Sequence, residues 1–222
     1  MIKMKRVFAL ILIFLCYWLG MPYFIGVALC FLSLWLDSTY MTVLLNCSFA
    51  FLQIPVLYFL FKITGVTFID HKKTYSHTRY SLLQLLFVGV ILAAFSVAYK
   101  CFFYPIPIVQ EGAEPPMAGI VIAAICGVLL SPVTEELFFR KWMIPYLEKA
   151  GVKLAYILVI TSLLFFMAHM DYVHGYFAFE RLLLGAVLSY IYMKSRDIRS
   201  CIWVHFVNNL IVIPIGLAAQ YC

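Results

Sequence analysis

Charge is what this sequence has least of. Only 12% of its 222 residues are Asp, Glu, Lys or Arg, against about a quarter in a soluble domain. That scarcity, with 65% hydrophobic residues and a mean hydropathy of +1.01, excludes an ordinary solvated fold and points to an integral membrane protein. Paired-cysteine spacing is also missing. The seven cysteines include no C-x-x-C, and Cys16, Cys30, Cys47, Cys126 and Cys201 lie in or beside apolar runs. They read as small hydrophobes, not as a disulfide framework or a zinc knuckle. No H-E-x-x-H, internal repeat or low-complexity tail is present. The net charge of +6 does not indicate nucleic acid, because the basic residues sit in short loops between apolar runs, the pattern that sets membrane topology.

What is there is length of apolar chain. A spanning helix needs about 20 mostly apolar residues. Candidates run near 7–36, 41–62, 81–104, 117–147, 154–175, 177–194 and 200–220, which predicts an all-α polytopic transmembrane bundle of about seven spans. "MIKMKR" followed by "VFALILIFLCYWLG" resembles a signal peptide, but no A-x-A-like site follows and the apolar run resumes after Met21-Pro22, so an uncleaved first span is expected. With the N-terminus cytoplasmic and that span single, 14 of the 16 Lys and Arg residues fall on the cytoplasmic side, leaving only Lys100 and Arg181 opposite. "YPIPIVQEGAEPP" and "DYVHGYF" then lie outside. The expected division is 1–105, N-terminal helices of unknown role, and 106–222, a catalytic core.

Ionisable groups inside the apolar runs usually face the bundle interior and mark function. Three clusters stand out. In "TEELFFR", Ser131-Pro132 just upstream reads as a helix start, with serine capping and proline in the first turn. On the helix that follows, Glu136 and Arg140 are i and i+4 and can pair. Glu135 is turned about 100° away, which leaves it available as a general base or acid. A structural ion-pair network at the membrane edge fits the same three residues.

The second cluster, "FFMAHM", supplies His169. Across a turn at Gly151, Glu135 lies 16 residues before and His169 18 after. At 1.5 Å per residue the mismatch is about 3 Å, so the two come level in an antiparallel hairpin and can polarise one water. Phe165, one turn earlier, is expected to pack beneath His169. In the third cluster, "WVHFVNN", His205 and Asn209 share a face, and Asn208 could replace Asn209 on spacing. An imidazole and an amide aimed at one point make an oxyanion hole; an interhelical hydrogen-bond pair is the alternative.

In order, E-E-x-x-x-R, F-x-x-x-H and H-x-x-x-N resemble the CAAX protease and bacteriocin-processing (Abi) family of intramembrane proteases, over roughly 117–212. One departure is "LLLG", Leu182 to Gly185, where the family often carries F-x-x-G: glycine is kept and phenylalanine is not. The resemblance implies that Glu135 and His169 activate a water, that His205 and Asn209 stabilise the oxyanion, and that Glu136 and Arg140 support them. The set works without a cofactor, though Glu135, His169 and His205 would also suit zinc. The implied substrate is a hydrophobic or lipidated peptide or membrane-protein tail, met in the lipid bilayer of a bacterial plasma membrane through a cavity open to the cytoplasm or the bilayer. The competing reading is a non-proteolytic bacteriocin-immunity or peptide-binding regulatory protein; a small transporter is the third. Oligomeric state is not legible.

Overall fold

The computed structural model describes residues 2–20, 52–66, 79–103, 121–122, 124–170 and 178–221. The regular elements among the described residues are all helical, with no strand, as the long apolar runs predict. Helix α1 is Ile2–Phe14, carried on by a π turn over Leu15–Gly20. Helix α2 is Leu52–Thr64 and α3 is Leu82–Phe103. Helix α4 runs unbroken over 126–149. Helices α5, α6 and α7 are Leu154–Met167, Phe179–Ser195 and Ile198–Tyr221.

Two helices, Leu82–Phe103 and Ile198–Gly216, are long and apolar enough to cross a bilayer. On α3, Leu83 is 77% and Phe102 78% exposed, a face that hydrocarbon accepts and water does not. Helix α5 is shorter than expected. The span placed at 154–175 ends as a helix at Met167, roughly 21 Å long at 1.5 Å per residue. Most of the long first span at 7–36, and the segments 104–120 and 171–177, lie outside the described residues.

The expected helix start at Ser131-Pro132 is corrected. Ser131 is itself helical (φ −57°, ψ −49°), has no capping role, and donates its N–H to the Cys126 carbonyl five residues back. A proline ring inside a helix clashes with the carbonyl four residues back. The π turn over Cys126–Leu130 widens the backbone there, so the helix passes through instead of starting. A second π turn, Leu137–Trp142, follows. Phe138, Phe139, Arg140, Trp142, Met143 and Ile144 are all buried, which is the signature of a helix enclosed on every side. Helix α4 is therefore the centre of the bundle.

The hairpin between α4 and α5 turns at Gly151, whose φ of +73° suits a residue without a Cβ. Glu148 beside that turn is paired with Arg196 at 2.5 and 3.0 Å, and Lys149 donates to the Gly65 carbonyl at 2.5 Å. These bonds gather the basic ends of α2, α4 and α6 at one end of the bundle. Between α5 and α6, Thr161 and Ser189 share a hydroxyl hydrogen bond of 3.0 Å.

Candidate active site

Helix α4 brings Glu135, Glu136 and Arg140 into the core as a consequence of its central position. Arg140 Nη1 donates to Glu136 Oε1 at 2.8 Å, and both side chains are fully buried. Its Nη2 donates to the Gly185 carbonyl at 3.1 Å. The guanidinium also lies over the Phe165 ring, 4.5 Å from its centroid. A guanidinium carries planar donors and a weakly hydrated face, so carboxylate, carbonyl and aromatic ring each take one part of it. Phe165 is fully buried and its ring stands 4.5 Å from that of His169, which makes it the floor of the site as well as the seat of Arg140.

At Gly185, α6 lies close against α5. A Cβ there would stand 3.2 Å from Phe165 Cβ and 3.3 Å from the Ser162 Cα. The kept glycine of "LLLG" thus holds its carbonyl within reach of Arg140. Gly185→Ala should push α6 outward and lower stability by about 1–3 kcal/mol, measured as a fall in thermal midpoint in detergent. An unchanged midpoint would show that the helices can separate without loss.

His205 on α7 bonds through Nδ1 to Glu136 Oε1 at 2.8 Å. The carboxylate accepts, so Nδ1–H donates, and in the neutral ring Nε2 is an acceptor. His169, just past the end of α5, is held the same way: Nδ1 donates to the Phe165 carbonyl at 2.8 Å. Its Nε2 stands 3.4 Å from Glu135 Oε2, and His205 Nε2 stands 3.9 Å from the same oxygen. Two nitrogens with acceptor character and a carboxylate oxygen therefore converge. A water, with two O–H donors, satisfies two of them at once. Glu135 lies 13 residues from Glu148 along α4, roughly 20 Å from the basic end, so this convergence is deep in the bundle.

Asn209 is the layer beyond. Its amide donates to the Gly127 carbonyl at 3.1 Å. Pro132 explains that bond. It has no N–H to return to the carbonyl five residues back in the π register, which is Gly127, and Asn209 satisfies the orphan instead. The Asn209 oxygen accepts from Asn208 Nδ2 at 3.1 Å and from Arg181 Nη1 at 3.4 Å. Asn208 is thus a neighbour in the network, and one amide N–H of Asn209 is already engaged.

All eight residues singled out in the sequence fall in this one region: Glu135, His169 and His205 at its centre, Glu136, Arg140 and Phe165 behind, Asn208 and Asn209 beyond. Arg181 was missed as a site residue and read only as a topological marker. The available signal was the adjacent pair Glu180-Arg181 at the start of an apolar helix, with Glu180 buried and 3.9 Å from Arg181. Trp18, whose ring is 6.5 Å from that of His169, carried no signal, because no spacing rule links α1 to α5.

Residues 117–211 match the family model described as Rce1-like, type II CAAX prenyl endopeptidase Rce1-like. No curated protein and no solved structure matches the chain. The matched stretch contains α4 to most of α7, including Glu135, His169, His205 and Asn209. That similarity is to a family described as endopeptidases, and the described residues include two helices long and apolar enough to span a membrane. Over residues 117–211 the chain is therefore similar to the Rce1-like type II CAAX prenyl endopeptidases.

Proposed function

We propose that the protein is an intramembrane endopeptidase that hydrolyses a hydrophobic or lipidated peptide, or a membrane-protein tail, with a water activated by Glu135 and His169. The observation that carries this reading is the approach of Glu135 Oε2 to His169 Nε2 at 3.4 Å and to His205 Nε2 at 3.9 Å. Glu135 takes a proton from the water as its oxygen adds to the peptide carbonyl, and His169 orients that water. His205 in its protonated form donates from both nitrogens, to Glu136 and to the oxyanion. Asn209 offers its second N–H to the same oxygen. Glu136 and Arg140 hold His205 and the α4 backbone in place.

Zinc on Glu135, His169 and His205 is the competing chemistry, and it would supply a Lewis acid for the same water. Our reading is a glutamate-type protease, because the residue set can perform the hydrolysis without a metal and the sequence has no H-E-x-x-H. It places the basic end, with Arg196 and Arg199, at the cytoplasmic face, and the cavity opens to that face or to the bilayer.

The test is a comparison of membrane peptides in cells carrying the wild-type chain or Glu135→Ala. An intact hydrophobic precursor should accumulate with Glu135→Ala, and purified wild-type protein should cleave it equally well with a chelator present. Identical peptide profiles would end the protease reading; loss of cleavage on chelation, restored by zinc, would move it to the metal form.

A further inference from the structure

We propose that Tyr17, on the N-terminal helix and outside the matched stretch, is a catalytic hydrogen-bond donor whose phenol O–H stabilises the oxyanion. The proposal rests on the endopeptidase reading above.

Tyr17 lies in the π turn Leu15–Gly20 and is only 4% exposed. Its ring stacks on Phe138 with centroids 4.4 Å apart and planes 1° from parallel. Phe138 follows Glu135 by three residues on α4, so the two share a face, and the Tyr17 ring lies on that face at Phe138. Trp18, the next residue, approaches His169. Residues 17 and 18 therefore border the Glu135–His169 pair.

The hydroxyl itself is the unexpected feature. Buried tyrosine hydroxyls usually find a partner, yet Tyr17 Oη is buried and has none among the described residues. Glu135 Oε2 and His205 Nε2, the atoms at the centre of the site, are in the same condition. Both histidines commit Nδ1–H elsewhere and Asn209 commits one N–H to Gly127, so oxyanion donation there falls to the second Asn209 N–H and to His205 only once it is protonated. A phenol is a donor that needs no prior protonation.

In the step proposed, the water oxygen bonds to the carbonyl carbon, its proton moves to Glu135, and the carbonyl π pair becomes the oxyanion, to which Tyr17 donates a hydrogen bond without transferring its proton. Collapse breaks the C–N bond, and the leaving nitrogen takes the proton from Glu135. The products are a carboxyl and an amine, and Glu135 is restored.

The test is Tyr17→Phe in the full chain, in liposomes, with an internally quenched farnesylated peptide ending in a C-a-a-X sequence. Phenylalanine keeps the stack on Phe138, so the thermal midpoint should not fall. The expected result is a drop in kcat of about 10²-fold, as for loss of one oxyanion donor, with KM unchanged. A peptidyl phosphinate, which mimics the tetrahedral oxygen, should bind more weakly to Tyr17→Phe by a similar factor while the uncleaved peptide does not. A kcat within twofold of wild type, a change confined to KM, or a lowered midpoint would each overturn the role of Tyr17 and leave the protease reading standing. Wild-type cleavage no greater than that of Glu135→Ala would overturn both.

Discussion

Glu135→Gln is expected to lower kcat by about 10²–10⁴-fold, the range that a positioned general base supplies. Glutamine keeps the volume of the side chain and can still hydrogen-bond, but it cannot take a proton from water at neutral pH. The substitution also removes a charge that is buried in the bundle and is faced by His169 and His205, so the fold should survive. The measurement is single-turnover cleavage of a peptide substrate by purified protein, paired with a thermal midpoint. His169→Ala in the Glu135→Gln background should cost little more, because two groups acting on one water are not additive. A loss of less than tenfold, or full additivity of the two changes, would sink the idea that Glu135 is the base.

Arg140→Met should have the largest effect on stability. It leaves Glu136, fully buried, with only His205 as an ionic partner among the described residues, and it removes the donor to the Gly185 carbonyl. Removing one member of a buried pair costs about 3–5 kcal/mol, because the other charge stays behind without compensation. Thermal unfolding in detergent should show the drop. Adding Glu136→Gln to Arg140→Met should recover part of it, since replacing both partners avoids the stranded charge. If Arg140→Met costs less than about 1 kcal/mol, the pair is not what holds α4 to α6.

Much of the site was legible in the sequence wherever the geometry belongs to one helix or one short hairpin. Glu136 and Arg140 pair because i and i+4 are neighbours on any helix, and a π turn beginning after Glu136 did not disturb this. Glu135 and His169 come level because equal distances from the Gly151 turn multiply by the same rise per residue. Helix α3 was readable almost to its ends, since an uninterrupted apolar run of that length has few alternatives. The Ser131-Pro132 start was misread for a physical reason: the same two residues open a helix or sit inside one, according to whether the preceding turn widens to take the ring.

By itself, then, the sequence determined the all-helical class, the apolar runs and the relations within single helices and the α4–α5 hairpin, because those depend on local backbone periodicity. Tertiary structure decided the rest. The turning of α7 that puts His205 on Glu136 and Asn209 on the Gly127 carbonyl, the entry of Arg181, and the seating of Tyr17 on Phe138 all depend on how each helix is rotated against its neighbours. Rotation is set by close packing, such as Gly185 against Phe165 and Ser162, and no spacing along one helix encodes it.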